Sequence, residues 1–202
     1  CDVTDPEQVD GLARSAAAWL AEAALAPDVL VNNAGAASSA PIASLSLEEW
    51  NGLFAVNATS AFLCTRALLE GMMDRGWGRV VNIASVAALS GARYIAAYAA
   101  AKHAVLGFTR CAAAEAAAHG VTVNAVCPGY ANTPMTERTL ERIASKTGRS
   151  REQALESILG SGPQRRLIEP DEVAHAVLAL VVEEARGING QAIVIDGGGL
   201  LA

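Results

Sequence analysis

Residues 79–102 read RVVNIASVAALSGARYIAAYAAAK, and the fold class follows from the order of the patterns in this stretch. Residues 79–83 form a short apolar run that ends in a polar turn, which is typical of a buried parallel strand. From about Ile95 to Ala118 the sequence is rich in alanine and poor in glycine, which predicts a helix with a surface of small side chains. The stretch is therefore predicted to be one strand followed by the helix that leads to the next strand.

The same alternation extends outward in both directions. Thr4 and Ser46, each followed by glutamate three positions later, predict helices over about 4–24 and 46–76, and Pro170 opens another over about 170–182. Further strands are predicted at 28–32, 121–126 and 191–195. Strands separated by such helices require crossover connections. We therefore predict an α/β fold, a Rossmann-type doubly wound parallel sheet in three layers, forming a single domain over residues 1–202.

Composition narrows the classes of function. The 202 residues are 52% hydrophobic and 18% charged, and their formal net charge of -6 leaves no positive field for a nucleic-acid partner. No uninterrupted apolar stretch approaches the roughly 20 residues of a membrane helix, so we expect a soluble protein with no membrane partner. The scattered cysteines predict buried, reduced thiols and a cytoplasmic location; they are Cys1, Cys64, Cys111 and Cys127.

Tyr98 and Lys102 are spaced so that a phenol and an ammonium lie on one face of the predicted helix. A tyrosine with an ordinary pKa of about 10 is a poor base at neutral pH, and a neighbouring cation favours the phenolate, so Lys102 is predicted to lower the pKa of Tyr98. Such pairs also arise in helices by chance. Ser85, at the end of the preceding strand, adds a hydroxyl that can polarise a substrate carbonyl oxygen.

Asn57 lies in the apolar part of the second predicted helix, where an amide must find hydrogen-bond partners. It is either a satisfied core side chain or part of a site. The histidines, His103, His119 and His175, are far apart and lack acidic partners at ligand spacing, so no metal site is predicted.

Four sequence elements together resemble the short-chain dehydrogenase/reductase family in order and spacing, and the resemblance extends over essentially the whole chain. These elements are Asn32-Asn33-Ala34-Gly35, Ser85, Tyr98 with Lys102, and Pro128-Gly129. The resemblance implies an oxidoreductase that uses NAD or NADP to interconvert a secondary alcohol and a ketone by hydride transfer.

The resemblance also implies roles for individual residues. Tyr98 would be the catalytic acid/base, Ser85 would orient the substrate, and Lys102 would lower the tyrosine pKa and hold the nicotinamide ribose. Asn57 would anchor a proton-relay water. The residues that would contact the cofactor are Asp2, Val3, Asn32, Asn33, Ala34, Gly35, Ile83, Tyr98, Lys102, Pro128, Gly129, Tyr130, Ala131 and Thr133.

One part of the family pattern is missing from these residues. The glycine-rich turn that receives a pyrophosphate on a helix N-terminus is not among them, and neither is the strand end that distinguishes a 2′-hydroxyl from a 2′-phosphate. Because the chain also begins without methionine, we expect the N-terminal part of the fold to be truncated and cofactor affinity to be reduced. The choice between NAD and NADP stays open.

Residues 133–168 are predicted to form an excursion above the sheet, where the resembled family builds its substrate lid. Its cations would attract an anionic carrier thioester or are solvated helix faces; they are Arg138, Arg142, Lys146, Arg149, Arg151, Arg165 and Arg166. The segment is similar to that of 3-oxoacyl thioester reductases and 3-hydroxyacyl or 3-hydroxybutyrate dehydrogenases. Sugar, polyol or steroid dehydrogenases are alternatives, as is a non-catalytic nucleotide-binding or scaffold relative. The resemblance implies a homodimer or homotetramer that acts on a small molecule.

Overall fold

The computed structural model describes residues 1–160 and 162–201, and in these residues four parallel strands form one sheet in the order β1-β2-β3-β4. The strands are β1 Val29–Asn32, β2 Gly78–Ile83, β3 Val121–Pro128 and β4 Ala192–Ile195. Because neighbouring strands are parallel, all four end at the same edge of the sheet. Ser161, inside the predicted lid, and Ala202, at the end of the predicted domain, lie outside the described residues.

The helices that alternate with these strands agree with the predicted ones to within a few residues. They are α1 Pro6–Ala21, α2 Leu47–Phe54, α3 Ser60–Arg75, α4 Ala96–Ala116, α5 Pro134–Thr147, α6 Arg151–Leu159 and α7 Pro170–Val181. The predicted cap at Ser46 is confirmed, since its side chain accepts the N–H of Glu49. The predicted cap at Thr4 is wrong. Asp5 caps α1 instead, because its carboxylate accepts from two N–H groups of the first turn.

Helices cover both faces of the sheet. On one face α3 and α4 pack on the strands around Val80 and Val123. On the other face α7 packs against Val81 and Val126 through Leu180. The adjacent residues Val80 and Val81 serve opposite faces because side chains alternate along a strand. The predicted three-layer α/β architecture with a parallel sheet is therefore confirmed.

The second predicted helix is not continuous, because Ala55–Thr59 form a π-helical turn between α2 and α3. The combined run Leu47–Arg75, with a hydropathy of 1.3 in its most apolar window, is long and apolar enough to cross a membrane by length and composition alone. Core helices of soluble proteins pass the same test, and 33% of that window is buried in this fold. The expectation of no membrane partner stays a prediction.

The segment after β3 leaves the body of the fold and returns to it at one point. Ala131 and Ile168 form an isolated parallel bridge. The N–H of Asn132 donates to the Ile168 carbonyl at 2.8 Å, and the N–H of Ile168 donates to the Tyr130 carbonyl at 2.9 Å. Along the chain, helices α5 and α6 lie between the two residues of this bridge, and the two helices pack on each other. The start of α5 is thereby held beside the end of β3.

The cysteine prediction is partly wrong. All four cysteines are free thiols, but only Cys127 is buried, whereas Cys64 is half-buried and Cys1 and Cys111 are exposed. Apolar neighbours in sequence do not decide which side of a helix faces solvent. Cys111, for example, lies on the outward side of α4 while Ala112 and Ala113 are buried.

Candidate active site

Polar residues follow three neighbouring strands at the carboxyl edge of the sheet. Asn33 follows β1, Ser85 lies two residues beyond β2, and Gly129 follows β3. Ligands of open α/β sheets bind at this edge. A cavity of about 760 Å³ opens there, and Tyr98 and Lys102 of α4 are in its wall together with Ser85. A smaller cavity of about 310 Å³, between α1 and α3, contains none of the predicted site residues.

The geometry brings the predicted catalytic side chains together. Tyr98 and Lys102 are one helical turn apart on α4, and the Lys102 Nζ lies 5.8 Å from the centre of the Tyr98 ring. The Lys102 Nζ donates to the Ile83 carbonyl oxygen at 2.8 Å, which fixes the ammonium at the end of β2. The Ser85 hydroxyl accepts the N–H of Ala87 at 3.1 Å, which orients it at the start of the turn Val86–Ala88.

Burial dominates the protonation of both groups on α4. It lowers the pKa of Lys102 from 10.5 to about 8, because a charged ammonium is costly out of water. It also raises the pKa of Tyr98 above its ordinary value, and the nearby Ser85 hydroxyl offsets only part of that rise. The net direction at Tyr98 is therefore upward, with burial as its largest cause, and the lowering contribution of Lys102 stays a prediction.

Asn57 lies behind this wall, at the centre of the π-helical turn. It is 3% exposed, and its Nδ2 donates to the carbonyls of Ala36 and Leu53, both at 2.9 Å. Its Oδ1 has no hydrogen-bond partner among the residues that the structure describes. A Cβ added to Gly35 would lie 2.8 Å from that Oδ1 and 3.5 Å from the Lys102 Nζ. Glycine at position 35 therefore keeps open a space bounded by an unsatisfied acceptor and an ammonium.

Most of the residues predicted to contact a cofactor line the cavity, and five predicted site residues do not. The lining residues are Asn33, Gly35, Ile83, Ser85, Tyr98, Lys102, Pro128, Gly129, Tyr130, Ala131 and Thr133. Asp2, Val3, Asn32, Ala34 and Asn57 are not in the wall. The Asn32 side chain instead donates to Thr65 at 3.0 Å and to Asn82 at 2.7 Å, and Asp2 accepts from Thr4. The roles assigned to these residues by resemblance stay predictions.

Sequence reasoning missed a large part of the cavity wall. One side is apolar and comes from α7 and from the segment before α4; it comprises Ile95, Val173, Val177 and Leu178. These residues belong to ordinary amphipathic patterns, so no local signal separates them from core positions. Ser38 and Ser39, in the loop after β1, also line the cavity and lie outside any motif.

Comparison with known proteins places the chain in a family. A family model described as enoyl-(acyl carrier protein) reductase matches residues 1–199. The chain is 42% identical over 172 residues to a D-beta-hydroxybutyrate dehydrogenase of Cupriavidus necator, covering 85% of this chain and 67% of the relative. It is 40% identical over 191 residues to an acetoacetyl-CoA reductase of Shinella zoogloeoides, covering 94% and 73%.

A solved structure supports the same placement. The crystal structure of an actinorhodin polyketide ketoreductase variant with NADPH superimposes with a TM-score of 0.91 at 37% identity, covering 98% of this chain and 75% of that one. The fold and the cavity define an oxidoreductase that uses NAD or NADP and acts on CH–OH groups. The chain belongs to the short-chain dehydrogenase/reductase family.

The residues at the cavity fit a nicotinamide ribose. Lys102 is the cation at the end of β2, and Gly35 lacks the Cβ that would come within 3.5 Å of its ammonium. Asn33 and Gly35 border that space on one side, and Pro128 and Gly129 border the cavity at the end of β3. Tyr98 and Lys102 would hold the ribose, while the choice between NAD and NADP stays undetermined.

Proposed function

We propose that this protein catalyses the NAD(P)-dependent interconversion of 3-oxoacyl and 3-hydroxyacyl substrates, as thioesters or as free 3-hydroxy acids. The observation that carries the proposal is that Ser85, Tyr98 and Lys102 share one cavity with a long apolar wall. The names of the relatives, a hydroxybutyrate dehydrogenase and an acetoacetyl-CoA reductase, have in common a short acyl unit oxygenated at its third carbon.

The proposed reaction needs a hydride and a proton, and the protein handles the proton. Tyr98 and Lys102 would hold the nicotinamide ribose, and a nicotinamide bound there would supply hydride chemistry at the carbonyl carbon in both directions. Tyr98 donates its phenolic proton to the carbonyl oxygen, so that the C=O double bond becomes a C–O single bond with a new O–H bond on the oxygen and a new C–H bond on the carbon. The Ser85 hydroxyl donates a hydrogen bond to the same oxygen and stabilises the charge that develops on it. In the reverse direction the phenolate accepts the alcohol proton.

Lys102 and Asn57 support this proton transfer in the proposed mechanism. The Lys102 ammonium lies beside the phenol and favours its ionised form after the proton has left. The free Oδ1 of Asn57 is buried beside Gly35 and accepts a hydrogen bond from a water that restores the tyrosine proton. A buried acceptor without a partner is costly, and a water bound at this position would remove that cost.

Replacing Tyr98 by phenylalanine tests the proposal, since it removes the proton and keeps the ring. We expect kcat of the full-length protein with acetoacetyl-CoA or 3-hydroxybutyrate to fall by about 10² to 10⁴. Tyr94→Phe is the matched control, because Tyr94 is 58% exposed and does not line the cavity; it should leave kcat within about twofold. Retained turnover in Tyr98→Phe would refute the assigned role of Tyr98. Failure of the wild type to turn over any 3-oxo or 3-hydroxy substrate would refute the substrate class.

We further propose that the protein works in the cytoplasm as a homodimer or homotetramer. Free thiols in all four cysteines support the first part. An exposed aromatic ring on α3 supports the oligomer: Phe62 is 43% exposed and meets Phe108 of α4 edge to face at 6.1 Å. Cell fractionation and light scattering of the full-length protein test the two parts, and a membrane-bound or strictly monomeric protein would contradict them.

A further inference from the structure

The electrostatic character of the cavity differs from that of the chain. The chain has a formal net charge of -6, yet the charged residues that line the cavity are Lys102, Arg138 and Arg142. Among residues 1–160 and 162–201, no Asp or Glu lines it. Field lines concentrate in clefts with charge of one sign, so this cavity favours an anion although the protein as a whole repels it.

The lid cations divide into distinct groups by their partners. Arg151, Arg165 and Arg166 form ion pairs with Glu137, Glu156 and Glu172, respectively. Within the described ranges, Arg138, Arg142, Lys146 and Arg149 form no ion pair. Of these four, Arg138 and Arg142 are in the cavity wall. The two arginines that face the cavity therefore keep their charge available for a ligand.

Arg138 and Arg142 are neighbours on the surface of α5. They are four residues apart on α5, so they lie on one face of that helix. Across the cavity mouth, the Ser39 hydroxyl lies 3.5 Å from Nη1 of Arg142. This separation is longer than a good N–H···O hydrogen bond, so the contact occupies little of the donor capacity of the guanidinium. The loop that carries Ser39 is itself anchored, because the N–H of Ala40 donates to the Tyr94 carbonyl at 2.8 Å.

The position of Arg142 along α5 indicates how far a bound anion would lie from the start of that helix. Arg142 lies eight residues beyond Pro134, or about 12 Å along the helix axis from the start of α5, and Thr133 and Met135 at that start line the same cavity as Tyr98. The carboxyl carbon of a 3-hydroxy acid is two bonds, at most about 3 Å, from its reacting carbon. An extended pantetheine arm, comparable in length to four or five residues of extended chain, spans roughly 15 Å. The distance favours an anion at the far end of such an arm.

Resting on the proposed function, we propose that Arg142, with Arg138 and Ser39, forms a specificity-determining subsite for a phosphate group at the distal end of a 3-oxoacyl or 3-hydroxyacyl thioester substrate. Guanidinium groups bind phosphate through paired, charge-assisted hydrogen bonds, and the serine hydroxyl adds one more donor. The acyl chain then lies along the apolar wall formed by Val173, Val177 and Leu178.

The test compares substrates that differ in their anion. Acetoacetyl-CoA carries distal phosphates, the acetoacetyl thioester of N-acetylcysteamine carries none, and acetoacetate carries a carboxylate close to its ketone. In the full-length protein Arg142→Ala should raise KM for acetoacetyl-CoA about tenfold and leave kcat within about twofold, the effect of one lost charge-assisted contact. KM for the phosphate-free thioester should not change, and Arg142→Lys should recover most of the loss because it keeps the charge.

Arg149→Ala is the matched control, since Arg149 is an exposed lid cation that does not line the cavity. It should leave KM unchanged for all three substrates. An equal rise in KM for both thioesters in Arg142→Ala would overturn the subsite, because it would indicate a general disturbance of the lid. A rise confined to acetoacetate would overturn the assignment to a distal phosphate.

A binding experiment separates this proposal from the proposed function. Free CoA carries the phosphates and undergoes no reaction, so calorimetric titration of the wild type and of Arg142→Ala with CoA reports the subsite alone. Weaker binding by the variant supports the subsite even if the wild type reduces none of the three substrates, an outcome that would contradict only the proposed function. Equal affinity of the two proteins for CoA would overturn the subsite.

Discussion

Replacing Lys102 by methionine is expected to stabilise the protein while abolishing turnover. Lys102 is 5% exposed, and burial lowers its pKa from 10.5 to about 8. At about 1.4 kcal/mol for each pH unit, this corresponds to a cost of about 3 kcal/mol for the charged side chain at pH 7. Methionine keeps a similar length without charge but leaves the Ile83 carbonyl without its donor, a loss of about 1–2 kcal/mol. We expect a net gain of about 1–2 kcal/mol in the free energy of unfolding.

The stabilisation by Lys102→Met should decrease as pH rises. Below pH 8 Lys102 is protonated in both the folded and the unfolded state, so the cost of its burial is fully present. Between about 8 and 10.5 the unfolded chain holds a proton that the folded protein lacks, so wild-type stability rises with pH through this window. Above 10.5 the side chain is neutral in both states and the cost is absent. The advantage of the variant is therefore largest at pH 7 and is lost by about pH 10.

Urea denaturation of both proteins at pH 7 and pH 9.5, without nicotinamide nucleotide, measures these differences. Turnover of the same preparations shows whether activity is lost while stability rises. A variant that is less stable than the wild type at pH 7 would contradict the reasoning. So would a stability difference that does not change between the two pH values, because it would show that the ammonium is not penalised by its surroundings.

Two further substitutions test the space beside the site and the opposite end of the sheet. Gly35→Ala should lower kcat/KM at least tenfold, because its Cβ would lie 2.8 Å from the Asn57 Oδ1. Gly52→Ala is the control: its Cβ would meet no atom within 4 Å, so its steady-state kinetics should match those of the wild type. Arg79→Met should lower the free energy of unfolding by about 2 kcal/mol, because it removes the donors to the carbonyls of Gly78 and Gly120. Urea denaturation checks this loss, and unchanged kcat would confirm that Arg79 lies outside the active site.

The sequence predicted the layers of the fold because strand and helix periods are local properties. The run at 79–83 and the alanine-rich segment after Ile95 each carry their own signal, and the parallel sheet follows from the lengths between strands. Contacts between distant segments carry no such signal. The cap of α1 illustrates the limit: Thr4 and Asp5 are both good caps, and the backbone angles at Asp5 decide between them.

The parts of the site that the sequence did not predict depend on tertiary structure. The π-helical turn Ala55–Thr59 inserts one extra residue per turn and directs Asn57 toward Gly35, although its sequence is compatible with an ordinary α-helix. The side chain of Asn32 turns into the helical layer, because Asn82 and Thr65 provide hydrogen-bond partners there. Arg142 was one of seven lid cations, and only the position of α5 separates it from those that are already paired.

The protonation of Tyr98 and Lys102 follows from their shared burial rather than from proximity alone. Burial opposes ionisation in both groups, raising the pKa of the phenol and lowering that of the ammonium. A protein with Tyr98 neutral therefore presents the form that donates a proton in reduction. When that proton leaves, a phenolate appears close to the ammonium, and each charge then reduces the cost of the other in a poorly solvated space. We therefore expect that removing either charge shifts the protonation equilibrium of its partner.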